Sequence, residues 1–140
     1  MAPASVSFHE TVLDTKALLR GPSETCALLI GRTTASHTHV SSIHVATNRA
    51  LQTQRRFKID ATDLLAAAAA AQAEAHELVG VFHTHPEGSA SPSPLDAAHA
   101  ALWSPMLWVI QGRESDLGAF LIEASGERWR RVRVVSSVPP

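Results

Sequence analysis

The chain has 140 residues, 45% of them hydrophobic and 18% charged, with a formal net charge of −1. This is enough apolar chain to bury the core of one domain spanning residues 1–140, and it argues against disorder. The near-neutral balance excludes broad electrostatic capture of nucleic acid. The single cysteine, Cys26, excludes an intramolecular disulfide and suits a reducing, cytoplasmic setting.

The opening Met-Ala-Pro-Ala-Ser has neither a basic stretch nor a long apolar run, so no secretory signal and no membrane anchor are expected. Residues His9–Arg20 place Val12, Leu13, Ala17 and Leu19 at helical spacing, and Gly21-Pro22 ends the run. Cys26–Ile30, closed by Gly31, reads as a short buried strand, and His37–Thr47 as a second strand rich in β-branched residues. Arg56–Ile59 is a further short strand. Asp60 can cap a helix over Ala61–Glu77, with Leu64, Leu65, Ala68, Ala71 and Ala75 on one side. Its small side chains would let it lie close to a sheet.

Leu78–His85 is the next strand, with Gly80 marking a close approach of backbones. Pro86–Pro92 is a loop, and Ser93-Pro94 starts a short helix. Met106–Gln111, Leu117–Ala124 and Trp129–Val135 complete the strands, the last as a hairpin partner after Ser125-Gly126. Arg128, Arg130, Arg131 and Arg133 fit the solvated face of that strand. The expected fold is mixed α/β, a central mixed sheet flanked by helices.

Chemistry concentrates in His83-Thr84-His85, followed after seven residues by Ser93 and after two more by Asp96. Histidines at i and i+2 on a strand share a face, so both imidazoles can reach one ion. Asp96, from the following helix, can supply a third ligand, which leaves one position of a tetrahedral zinc for water. Taken alone, Ser93 and Asp96 also fit an ordinary helix start, with a capping hydroxyl and an acid in the first turn. His37-Thr38-His39 repeats the histidine pair but has no Ser-x-x-Asp at that distance, so it is read as a decoy.

Around this motif the chain resembles the JAMM (MPN+) metallopeptidases. Gly80-Val81-Phe82-His83-Thr84-His85-Pro86 is similar to the family's ligand-bearing strand, and Ser23-Glu24-Thr25-Cys26-Ala27-Leu28-Leu29-Ile30-Gly31 to its early glutamate-bearing strand. Asn48 and Arg56–Asp60 resemble the short bacterial branch. The resemblance implies one zinc per chain held by His83, His85 and Asp96, with Glu24 as general base and Ser93 as hydrogen-bond donor to the oxyanion. Thr84 stands where the family often has serine, and it is expected to point away from the metal. Cys26 is expected to be a small buried residue.

The resemblance further implies hydrolysis of the amide bond after the C-terminal glycine of a ubiquitin-like or sulfur-carrier protein, whose tail could add to a strand edge. The chain lacks the long insertions that eukaryotic members use to hold ubiquitin. No nucleic acid or membrane partner is implied, and a homo-oligomer is compatible with the sequence. The alternative is a non-catalytic MPN-type interaction scaffold, although members of that kind typically lose metal ligands. A DNA-repair-associated member would carry His-x-His-Asn, whereas Pro86 follows His85 here.

Overall fold

The computed structural model describes residues 4–10, 12, 25–34, 36–46, 61–86, 88–92, 107–114, 116–122 and 129–136. The strands are β1 (Ser5–Phe8), β2 (Cys26–Thr33), β3 (His37–Ala46), β4 (Glu77–Thr84), β5 (Leu107–Gln111), β6 (Leu117–Ile122) and β7 (Trp129–Val134), with helix α1 (Ala61–Ala73) between β3 and β4. They pair in the order β1-β3-β2-β4-β5-β6-β7 and close into a barrel. β1 runs parallel to both β3 and β7, β4 runs parallel to β5, and the remaining pairs are antiparallel.

This closure corrects the expected central sheet flanked by helices. Ser5-Val6-Ser7-Phe8 carries little strand signal in the sequence, because four residues of alternation are too few to stand out. Those residues are the ones that join β3 to β7. Of the expected helix over 9–20, Glu10 and Val12 are described and helical. His9 is described and not helical, whereas the remainder, the expected strand at 56–59 and the helix from Ser93 lie outside the described residues.

Two apolar clusters follow from strand alternation. The inner one draws on all seven strands, among them Val6, Leu29, Val40, Phe82, Val109, Leu121 and Val132. The outer one lies on β2, β4 and β5, where Cys26, Leu28, Ile30, Val81 and Trp108 meet Ala67 and Ala71 of α1. The helix therefore contacts the barrel through Leu64, Ala67 and Ala71, spaced three and four residues apart. Leu65, Ala68 and Ala75, expected on that face, are exposed instead. Alanine at the contact lets the helix approach the strands closely, as anticipated.

α1 ends on a Schellman arrangement. His76 N donates to Ala71 O at 2.8 Å and Ala75 N to Gln72 O at 3.1 Å. Ala75 consequently takes φ 57°, the left-handed conformation usually left to glycine. Among the described residues, no helix is long and apolar enough to cross a membrane.

A bulge sets the phase of β4. Leu29 pairs with Gly80 and Ile30 with Leu78, so Val79 is the extra residue. A Cβ on Gly80 would strike Leu107 O and lie 2.9 Å from Leu107 Cβ. Gly80→Ala should therefore lower stability by about 1–3 kcal/mol, the usual cost of overpacking. Ala75→Gly should raise it by about 0.5–1 kcal/mol by relieving the left-handed alanine. Urea midpoints of both variants check this pair of opposite signs, and an unchanged midpoint for Gly80→Ala would remove the glycine's assigned role.

A candidate metal centre

With the bulge in place, Phe82 points into the barrel and Val81 outward. The next outward residue is His83, which is 0% exposed and pairs with Cys26 on β2. Its ring stands edge to face with Trp108, with centroids 5.5 Å apart. His83 thus lies on the outer wall, among the side chains that α1 covers.

His85 follows just past the strand end. Its backbone N–H donates to Gln111 O at 2.8 Å, which fixes it to the end of β5. Its Nδ1 lies 2.9 Å from Ser89 O. A carbonyl can only accept, so Nδ1 carries the proton and the neutral ring turns its Nε2 lone pair outward. That Nε2 lies 3.0 Å from His83 Nε2. Two nitrogens each about 2.0–2.1 Å from one zinc ion stand about that far apart or slightly more. The donor set and its convergence fit zinc.

The loop after His85 is tied back at Gly88. Gly88 N donates to His85 O at 3.2 Å, and Arg113 N donates to Gly88 O at 2.8 Å. Ala90 is buried against Gly112 and Gly118, where a Cβ on either glycine would collide with the Ala90 backbone. Trp108 and Gln111 of β5 therefore flank the two histidines, with Cys26 beside His83 and Ser89 closing on His85. Neither Ser89, which acts through its carbonyl, nor the Gln111 carbonyl carries a sequence signal, since any residue type supplies that atom.

Among the described residues no group of three His, Cys, Asp or Glu could hold a metal ion. His83 and His85 converge, whereas Glu24, Ser93 and Asp96 lie outside the described residues. Thr25, the residue after Glu24, is described: its backbone N–H donates to Thr84 Oγ1 at 3.0 Å, and Thr84 N donates to Thr25 O at 3.0 Å. Cys26 is fully buried, with Sγ directed at Ala46 O at 3.9 Å, as expected of a packing residue.

The decoy pair is engaged elsewhere. His37 is buried between two serines, with Nδ1 2.7 Å from Ser5 Oγ and Nε2 2.7 Å from Ser7 Oγ. Ser7 Oγ also contacts His39 Nδ1 at 2.8 Å. A neutral imidazole has one donor and one acceptor, so this chain of four groups satisfies them across the β1–β3 seam. Burial holds the His37 pKa below its usual value, aided by His39. Burial lowers that of His39 as well, with His9 and His76 adding repulsion.

Comparison with known proteins agrees with the fold and with the family resemblance. The family model described as prokaryotic homologs of the JAB domain matches residues 9–135. A desampylase of Haloferax volcanii is 26% identical over 113 residues, covering 81% of this chain and 78% of that protein. A desampylase of Pyrococcus furiosus is 28% identical over 99 residues, covering 71% of this chain and 66% of that protein. A solution structure from Desulfitobacterium hafniense superposes with a TM-score of 0.81 at 21% identity, covering 94% of this chain and 92% of that one. One from Salinibacter ruber gives 0.70 at 30% identity, covering 95% and 92%.

The two histidine pairs lead to separate expectations. Purified protein should carry about one zinc per chain, lost in His83→Ala and kept in His37→Ala. Metal analysis of the two variants decides, and the reverse pattern would mean that the ion sits at the wrong pair. For His37 and His39 the folded state favours the neutral form, so the unfolded chain binds protons first as pH falls. Stability should be full above the ordinary imidazole pKa of about 6.5 and decline as pH drops below it toward the lowered folded pKa. His37→Gln should flatten that decline in melting curves collected between about pH 7.5 and 5.

Proposed function

Because this chain belongs to the prokaryotic homologs of the JAB domain, we propose that it is a zinc-dependent isopeptidase acting on ubiquitin-like conjugates. The observation that carries the reading is the convergence of His83 and His85 Nε2 at 3.0 Å, with the His85 tautomer set by Ser89 O. In this reading Asp96 completes the protein ligands. Zinc held there would lower the pKa of its bound water to about 7.

Glu24 takes the proton of the attacking water and returns it to the departing amine. Support comes from Thr25, one peptide unit away and hydrogen bonded to the residue between the two histidines. Ser93 donates to the oxyanion as charge develops. Similarity to the two desampylases supports a ubiquitin-like partner, and in this reading the substrate is a ubiquitin-like or sulfur-carrier protein with a C-terminal glycine tail.

Barrel closure restricts where an extended tail could add. β1 pairs with β3 only from His37 to Val40, so among the described residues the rest of β3 has a strand on one side alone. Its last residue, Ala46, lies in one cross-strand row with Cys26 and His83. A tail lying along that edge would run beside the row that holds the histidine.

Mass spectrometry of carrier-protein conjugates incubated with the enzyme, with and without chelator, tests the reading. Glu24→Gln should keep its zinc yet lose on the order of a hundred- to ten-thousandfold in turnover, with little change in substrate affinity. Ser93→Ala should lose about a hundredfold, whereas a mere helix cap would cost about 1 kcal/mol of stability and leave turnover intact. Wild-type turnover in zinc-loaded Glu24→Gln would refute the assigned base.

A further inference from the structure

We propose that Thr84 is a positioning residue, whose hydroxyl holds the chain next to Glu24 in register with the two histidines. The proposal rests on the isopeptidase reading for its catalytic consequence and on geometry for the clamp itself.

At every second facing pair of a regular antiparallel ladder, the two residues exchange main-chain hydrogen bonds in both directions. At the mouth of the β2–β4 ladder only half of that exchange is made. Thr84 N donates to Thr25 O at 3.0 Å, whereas Thr25 N donates to Thr84 Oγ1, also at 3.0 Å. A side-chain oxygen thus replaces the carbonyl. The two hydroxyls lie 3.2 Å apart, and either can donate to the other. Thr84 is buried, and its strand neighbours on the same side, Phe82 and Gln111, are buried too. The hydroxyl is therefore held in place by packing.

Only a short side chain with an acceptor oxygen at Oγ can make this contact. Serine could, valine could not, and valine would leave the half-buried Thr25 N–H without that acceptor. The expectation that Thr84 simply points away from the metal holds for direction but misses the consequence. By facing inward it reaches across to β2, while His83 and His85 face the other way. One tripeptide thus supplies two outward imidazoles and one inward anchor for the residue that follows Glu24. His85 is tied on the opposite side, through its N–H to Gln111 O at 2.8 Å. Thr25 and the histidine-bearing tripeptide accordingly meet in a single cross-strand row.

The test compares Thr84→Val and Thr84→Ser in zinc-loaded protein, with Thr25 amide exchange followed by NMR. Thr84→Val should keep its zinc and its KM, speed Thr25 amide exchange by roughly tenfold, and lower kcat by about ten- to a hundredfold. Thr84→Ser should restore both within about threefold. Combined with Glu24→Gln, Thr84→Val should lower kcat no further, since the two act as one unit. Unchanged Thr25 exchange in Thr84→Val overturns the clamp. Altered exchange with unchanged kcat overturns its catalytic role, as does a kcat loss that serine fails to rescue. Absence of hydrolysis in the wild type would instead overturn the isopeptidase reading, and the exchange measurement would still judge the clamp.

Discussion

The extra residue at Val79 is the constraint on which the candidate site depends. Side chains alternate across a strand, so one inserted residue reverses the face of everything after it. Without the bulge, His83 would point where Phe82 now points, into the packed interior of the barrel. With it, His83 emerges on the outer wall beside Cys26 and Trp108. Gly80 makes the bulge feasible, because a Cβ there would meet the Leu107 backbone.

Placement on the outer wall has consequences for burial. His83 is fully covered, so its ring is aimed by packing, while His85 at the strand end is aimed by hydrogen bonds to Ser89 and Gln111. A carbonyl on His85 Nδ1 leaves Nε2 with its lone pair, and this orientation makes the pair suited to a metal. The other histidine pair shows the contrast. His37 and His39 sit on an equally regular strand, yet their nitrogens are engaged by serines that β1 brings alongside.

Much of the local structure was legible in the residues. Six of the described strands and the alanine-rich helix were expected near their observed limits, because turn residues and β-branched runs delimit them. Closure was not legible. It depends on β1, whose four residues gain significance only by pairing in parallel with β3 and β7, more than 30 and 120 residues away. The helix face was misjudged for a related reason: in a run of near-identical alanines, nothing local says which ones the barrel will cover.

The sequence by itself determined the chemistry on offer: two imidazoles two residues apart on a strand, with Ser93 and Asp96 at the spacing of a metallopeptidase motif, and the family that carries them. Strand periodicity alone sufficed to put His83 and His85 on one side. Which side that was, and that the other histidine pair is engaged by the serines of β1, only the tertiary structure decided. Both depend on contacts between strands distant in the chain: a register break between β2 and β4, and the lateral arrival of β1. The hydroxyl of Thr84 belongs with these, since its partner Thr25 lies 59 residues before it.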